Sequence, residues 1–325
     1  MKRALIVGIN QYHPPLKPLK GCVNDAVAIS SILETHGDGG PNFDIRLLTD
    51  VQTKVKLKEQ IVELFSGDCD SQFFYFSGHG TVNNFGGYIV SPDAQRYDEG
   101  VPMDDILNAA NESKAKDRIV ILDCCQSGNF GSPATSGGRV CAINEGVSIL
   151  TACKEDEFAG EINGHGIFTN LLLEALRGGA ADLMGHITPG SIYAFIDQAL
   201  GAWDQRPVFK TNITHFTSLR EVPSRIPKEL LRELASFFSA PQDMFPLDPS
   251  YEDTNAPSVD HKVVLPYAKQ ENVAIFKKLQ KLQSVGLVEP VDETFMYFAA
   301  MNSKACKLTA LGYHYWRLAK EGRIR

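Results

Sequence analysis

Two places in the chain put reactive side chains at the end of an apolar run. In the first, Phe73-Phe74-Tyr75-Phe76 leads into Ser77-Gly78-His79-Gly80. Glycines on both sides of a histidine allow a sharp turn and close approach of backbone to a ligand. In the second, Ile119-Val120-Ile121-Leu122 leads into Asp123-Cys124-Cys125-Gln126-Ser127-Gly128. A thiol becomes a nucleophile once a base takes its proton, and imidazole is the usual partner. If the two runs are neighbouring parallel strands, His79 and Cys125 leave the sheet at the same rim. The backbone N–H groups of Gly80 and Cys125 are then the candidates for holding the oxyanion of an acyl transfer. The competing use is plain packing, with His79 a turn histidine and Cys124 and Cys125 inert core thiols. Both motifs together, on strands in this order, favour the chemical reading.

Two acidic residues accompany them. Asp25 lies in Gly21-Cys22-Val23-Asn24-Asp25-Ala26, and Asp123 directly precedes the thiol pair. Two carboxylates at one cleft favour a cationic side chain, and arginine would pair with them through charge-assisted, bidentate bonds. Asp25 has a second use, as a negative charge against the dipole of a helix N-terminus.

Something must position these residues. Through the first 210 residues, short apolar runs alternate with amphipathic stretches. Residues 3–9, 43–48, 72–76, 88–90, 118–122, 147–152 and 207–209 read as strands. Residues 23–35, 53–65, 103–110, 168–176 and 191–200 read as helices, with Thr53 an N-cap and Gly178-Gly179 a C-terminal stop. This alternation predicts an α/β fold with a mostly parallel sheet covered by helices on both faces. In such sheets sites form at the carboxyl ends of strands, where both motifs sit. No G-x-G-x-x-G follows the first strand, so a dinucleotide-binding fold is discounted.

With these residues in place, the chain resembles a metacaspase-type member of the caspase-like (C14) peptidase family. The matching stretches are Ala4-Leu5-Ile6-Val7-Gly8-Ile9-Asn10, Leu19-Lys20-Gly21-Cys22-Val23-Asn24-Asp25-Ala26, residues 74–80 and 123–128. Weaker matches are Leu150-Thr151-Ala152-Cys153 through Glu157, and Gly166-Ile167-Phe168-Thr169. The likeness covers roughly residues 1–220. It implies a caspase-like fold and a cysteine endopeptidase with a His79/Cys125 dyad. It also implies a pocket for the residue before the cleaved bond (S1) at Cys22, Asp25, Ser77 and Asp123, and hence cleavage of protein or peptide substrates after Arg or Lys. Cys124 points the other way along the strand period and is expected to pack. Gln126 stands where metacaspases usually carry histidine. The chemistry itself needs no cofactor. The resemblance suggests calcium as an activator, held by Asp93, Asp104 and Asp105, although Ser132 occupies the place of a further acidic ligand. The loop 130–138 is rich in Gly, Ser, Pro and Thr, as protease-sensitive loops are; the resemblance implies that it borders the cleft and is self-processed, with Arg139 and Lys154 as the basic sites. A catalytically inactive, partner-binding scaffold is the rival reading, disfavoured by the intact dyad and acidic pocket.

The remainder differs in character. Residues 1–224 carry 18 basic against 27 acidic side chains, and residues 225–325 carry 14 against 12. The expected division is a peptidase domain over 1–222, a helix (227–238) and linker over 223–262, and a small α+β domain over 263–325. Residues 240–257 read as linker, 271–285 as a basic helix, 295–299 as a strand and 309–320 as a helix. That last part resembles a winged helix-turn-helix, with Lys277, Lys278 and Lys281 on one helical face. Such a face contacts DNA in some proteins. A net charge of +2 over residues 225–325 favours a protein-interaction module instead, for an upstream protease or adaptor. Fusions of this kind belong to signalling or defence pathways.

The whole chain of 325 residues has a net charge of −7 and is 43% hydrophobic. That balance suits a globular fold and argues against a general nucleic-acid binder. No apolar run approaches the roughly 20 residues that span a bilayer, so a soluble, cytoplasmic protein without membrane partners is expected. Seven cysteines without zinc-type spacing are expected to be free thiols.

Overall fold

The strand Ser71–Ser77 (β3) is buried along its whole length, and the architecture is built around it. In the computed structural model, the described residues are 1–124, 142–152, 161–162, 164–201, 206–215, 217–265 and 267–324. They divide into two units, 1–223 and 224–325.

In the first unit, β1 (Lys2–Gly8), β2 (Asp44–Thr49), β3, β7 (Asp117–Asp123), β8 (Val147–Thr151) and β12 (Val208–Asn212) form one sheet in the order β12-β8-β7-β3-β1-β2. Every pairing is parallel except β12 against β8. Side chains on a strand alternate between faces, and the core follows that period. Leu5, Val7, Phe74, Phe76, Val120 and Leu122 face one side and pack on α2 (Lys54–Ser66) and α3 (Met103–Glu112). Ala4, Ile6, Phe73, Tyr75, Ile119 and Ile121 face the other side and pack on α1 (Cys22–Leu33), α4 (Ile167–Glu174) and α5 (Pro189–Ala199). Continuous apolar strands are what a sheet covered on both faces requires, so the expected α/β class holds. Thr53 caps α2 as read from the sequence, its hydroxyl accepting from Lys56 N at 3.3 Å.

Smaller strands decorate this frame. β4 (Gly80–Asn83), β5 (Gly86–Gln95) and β6 (Asp98–Pro102) form an antiparallel meander directly after β3. β9 (Glu161–Ile162) pairs with β10 (His165–Gly166), and β11 (His186–Ile187) with β13 (Arg220–Glu221).

The second unit contains α6 (Lys228–Phe237), β14 (Met244–Pro246), a 3₁₀ turn at Pro249–Tyr251, α7 (Gln270–Ser284), β15 (Val288–Pro290), α8 (Met296–Met301), β16 (Ala305–Leu308) and α9 (Ala310–Lys320). Its strands order β14-β16-β15, all antiparallel. Two expectations are corrected here. Residues 295–299 are not a strand: Met296, Ala299 and Ala300 are buried and Phe295 is exposed, a helical spacing that overrides the β preference of the aromatics. Residues 240–257 are not simply linker, because β14 hydrogen-bonds to β16. The sheet partner lies some 60 residues away, beyond the reach of local composition.

One glycine fixes how closely α1 meets the sheet. A Cβ on Gly8 would lie 2.2 Å from the Cys22 carbonyl oxygen and 2.7 Å from Ala26 Cβ. Gly8→Ala must therefore push the start of α1 off the tip of β1. We expect a loss of about 1–3 kcal/mol, typical of overpacking, read by urea unfolding; an unchanged midpoint would contradict the close approach.

Candidate active site

β3 and β7 end level with each other, Ser77 opposite Asp123. Beyond that register Gly78 N donates to Asp123 O at 3.3 Å, so the two strand tips stay tied as they leave the sheet. Gly78 is followed by His79, and Asp123 by Cys124. Cys124 is buried, 5% exposed, among the residues facing α2 and α3, as the strand period predicted. Cys125 lies outside the described residues, as do Arg139 and Lys154.

His79 is held from two directions. Its backbone N–H donates to the Tyr12 hydroxyl at 2.9 Å, and the two rings meet at 4.6 Å between centroids. Its Nε2 lies 2.7 Å from the carbonyl oxygen of Lys17. A carbonyl only accepts, so Nε2 carries the hydrogen, and in the neutral ring Nδ1 is the nitrogen able to take a proton. Tyr12 and Lys17 belong to the loop between β1 and α1. Asn10 braces that loop: its Oδ1 accepts from Val23 N at 3.2 Å, its O accepts from Leu19 N at 2.9 Å, and its Nδ2 donates to Lys20 O at 3.2 Å. Burial pushes the Tyr12 hydroxyl well above the usual phenol range, so it stays protonated while accepting from His79.

Gly80 begins β4. Val90 N donates to His79 O and Gly80 lies opposite Ile89. This makes Gly80–Ile89 a non-hydrogen-bonded pair, so the antiparallel ladder does not use the Gly80 N–H.

Around the same rim the acidic residues converge. Asp25 is in the first turn of α1, 2% exposed, and Asp123 is 7% exposed. Ser77 Oγ donates to Asp25 Oδ2 at 3.2 Å. Cys22 stands one turn before Asp25, at a spacing that shares a helix face. Gly166 sits between the two carboxylates: a Cβ there would lie 3.0 Å from Asp123 Oδ2 and 3.6 Å from Asp25 Oδ2. A relay runs from the Tyr75 hydroxyl to Thr169 Oγ1 (2.5 Å) and from Thr169 Oγ1 to Asp123 Oδ2 (2.5 Å). His165 Nδ1 lies 2.7 Å from Asp25 Oδ1.

Burial dominates the electrostatics. Removal from water raises the Asp25 carboxyl above its ordinary range, against the opposing bonds from His165, Gly166 and Ser77. Burial also raises Asp123, helped by the nearby charge of Asp25 and opposed by Thr169, up to about 7. Two desolvated carboxyls in one corner are poised to bind a cation, because a positive partner would favour their charged forms.

Sequence reasoning found Asp25, Ser77, Asp123 and His79, and the structure brings them to one rim. It missed Tyr12, the Lys17 carbonyl, Thr169 and His165. Gly166-Ile167-Phe168-Thr169 was visible as a matching stretch, but nothing in it named a partner. Two of the three acidic residues weighed for calcium have partners of their own. Asp93 Oδ1 accepts from Lys54 N at 2.9 Å, at the start of α2, and Asp105 Oδ2 pairs with Lys58 Nζ at 2.7 Å. Asp104 is exposed. Among the described residues no three His, Cys, Asp or Glu side chains gather as a metal cage.

A model of the caspase domain, peptidase family C14, matches residues 1–216. Over 88 residues the chain is 39% identical to metacaspase-1 of Candida glabrata, covering 24% of this chain and 22% of that protein. Metacaspase-1 of Scheffersomyces stipitis is 38% identical over 88 residues, covering 24% and 21%. The matched segment thus spans about a fifth of the length of these relatives. The structure of caspase-1 from Spodoptera frugiperda aligns with a TM-score of 0.49 at 16% identity, over 68% of this chain and 90% of that one.

The raised Asp123 carboxyl has a stability consequence. In the unfolded chain it ionises near 3.8, in the folded protein near 7. The native state therefore holds a proton that the unfolded state has lost, and stability falls as pH rises from about 4 to about 7, with the full cost above that. Asp123→Asn removes the cost. We expect its melting temperature to exceed wild type by several degrees at pH 8, a gain on the order of 4 kcal/mol at most, which vanishes toward pH 4. Thermal unfolding across that range checks it, and a pH-independent difference would contradict the assignment.

Proposed function

Because this chain belongs to the caspase-domain (C14) family, we propose that it is a cysteine endopeptidase cutting after Arg or Lys through Cys125 and His79. The single observation that carries the specificity is the buried corner shared by Asp25 and Asp123, with Ser77 beside them. A guanidinium entering it would satisfy two desolvated carboxyls at once and be held bidentately. A substrate ending in Asp would meet like charge there.

The dyad reading is supported by the tied tips of β3 and β7, since the residue after Gly78 is His79 and the second after Asp123 is Cys125. In this reading His79 Nδ1 takes the thiol proton, and the thiolate attacks the carbonyl carbon of the scissile bond. The tetrahedral oxyanion is met by the N–H groups of Gly80 and Cys125. His79 then returns the proton to the leaving amine, giving an acyl-enzyme that water hydrolyses with His79 again as base. Lys17 O and Tyr12 keep the ring in the tautomer and orientation this requires. Processing at Arg139 or Lys154 is part of the same proposal, since each offers a basic side chain to such a pocket.

For the second unit we propose a protein-binding role. Lys277 and Lys278 on α7 are paired with Asp253 at 2.7 Å and Glu233 at 2.6 Å, which reduces the charge those two offer to phosphates. An adaptor or upstream protease is the partner this suits. A defence or signalling setting is compatible with that pairing of units.

Fluorogenic peptides ending in Arg, Lys or Asp test the reading. Arg and Lys peptides should be cut, and Asp peptides left intact. Cys125→Ala and His79→Ala should each lower kcat by about 10³-fold or more, and Asp25→Asn should lower kcat/KM for Arg by roughly 10²-fold. Turnover raised by calcium and lost with a chelator would support the expected activator, and turnover unaffected by either would remove it. Preference for Asp would overturn the pocket. Binding of partners without any cleavage would favour the scaffold reading instead.

Tyr12→Phe removes the acceptor for the His79 N–H. We expect kcat to fall about tenfold with KM nearly constant; equal losses in Asp25→Asn and Tyr12→Phe in KM alone would deny Tyr12 its positioning role.

A further inference from the structure

His165 is not used by any step above, yet of the described polar contacts to Asp25 it makes the closest. Its Nδ1 lies 2.7 Å from Asp25 Oδ1, with Asp25 3% and His165 26% exposed at the side chain. The next residue, Gly166, turns its N–H toward Asp25 Oδ2 at 3.5 Å, and a Cβ there would sit tightly, 3.0 Å from Asp123 Oδ2. The His165–Gly166 segment therefore closes over both carboxyls from one side. An imidazole at this place presents a nitrogen to the carboxyl oxygen that an incoming arginine or lysine would seek.

Among the described residues, β10 is two residues long and pairs with the two residues of β9, a ladder too short to be stable by itself. On its other side Gly164 O accepts from Asn24 Nδ2 at 3.5 Å, a long, exposed bond. Among the contacts of the described residues, displacing the imidazole costs its hydrogen bond to Asp25 and strains a short ladder, and a bound guanidinium or ammonium offsets the first by taking its place on the carboxyl.

We propose that His165 is an intrinsic plug of the S1 pocket: it occupies the substrate cation's place on Asp25 and must leave when a basic side chain enters. This rests on the basic-pocket reading and adds to it the residue that sets how readily the pocket opens. A plug makes the binding-competent state a fraction of the population, and apparent affinity falls by that fraction. It filters weak ligands without touching the chemical step.

The test uses the full chain and two substitutions of opposite sense. His165→Ala should lower KM for Arg peptides by about three- to tenfold, with the change confined to KM. His165→Lys puts a permanent cation on Asp25 and should raise KM by a similar factor. The fluorescent cation p-aminobenzamidine gives a readout independent of cleavage, with His165→Ala in a Cys125→Ala background binding it more tightly than Cys125→Ala alone. If His165 merely supports Asp25, His165→Ala will leave KM unchanged or raise it, and p-aminobenzamidine will bind no tighter; either result overturns the plug while the basic pocket stands. If neither wild type nor His165→Ala cuts Arg or Lys peptides or binds p-aminobenzamidine, the basic pocket itself fails and the plug with it.

Discussion

Asp25 and Asp123 share a corner from which water has been removed, and removing water from a carboxylate is costly unless something positive or strongly hydrogen-bonding replaces it. The protein supplies only part of that replacement. Ser77 and Thr169 hydroxyls, the Gly166 N–H and His165 each offer one contact, and both carboxyls still rise above their ordinary range. The deficit makes the corner receptive to a cation. It also explains why so many elements converge there: α1 brings Asp25, β3 Ser77, β7 Asp123, β10 His165 and α4 Thr169.

The parallel pairing of β3 with β7 is what makes the convergence possible. Parallel strands in register deliver their carboxyl ends to one rim, so residues some 45 positions apart in the chain become neighbours. The sheet is packed on both faces by large side chains such as Phe73, Phe74, Tyr75 and Phe76, and that burial offsets the cost of the desolvated carboxyl at its tip. The site destabilises and the core compensates, a division of labour common where binding requires a strained or desolvated constellation.

Much of this was legible beforehand because it depends on local pattern. Apolar runs of five to seven residues announce buried strands, and abrupt glycines beside His79 announce a turn. The alternation of strand and helix restricts the sheet to mostly parallel pairing. Thr53 as a cap and Cys124 as a packed thiol follow from helix-end chemistry and the two-residue strand period. Where the local signal was mixed, tertiary packing decided. Residues 295–299 are aromatic enough for a strand, but the burial of Met296, Ala299 and Ala300 holds them in a helix. Met244–Pro246 became a strand only because Ala305–Leu308 lies alongside it.

By itself, the order of residues determined the fold class and the two strand ends that carry His79 and Asp123, because each is encoded within a few neighbouring positions. Only the tertiary structure decided that Tyr12 and the Lys17 carbonyl hold His79, that Thr169 bridges Tyr75 and Asp123, and that His165 lies on Asp25. These contacts join residues from 46 to 140 positions apart. No local periodicity records them, since a hydrogen bond depends on where two backbones are carried and not on how far apart they stand in the chain.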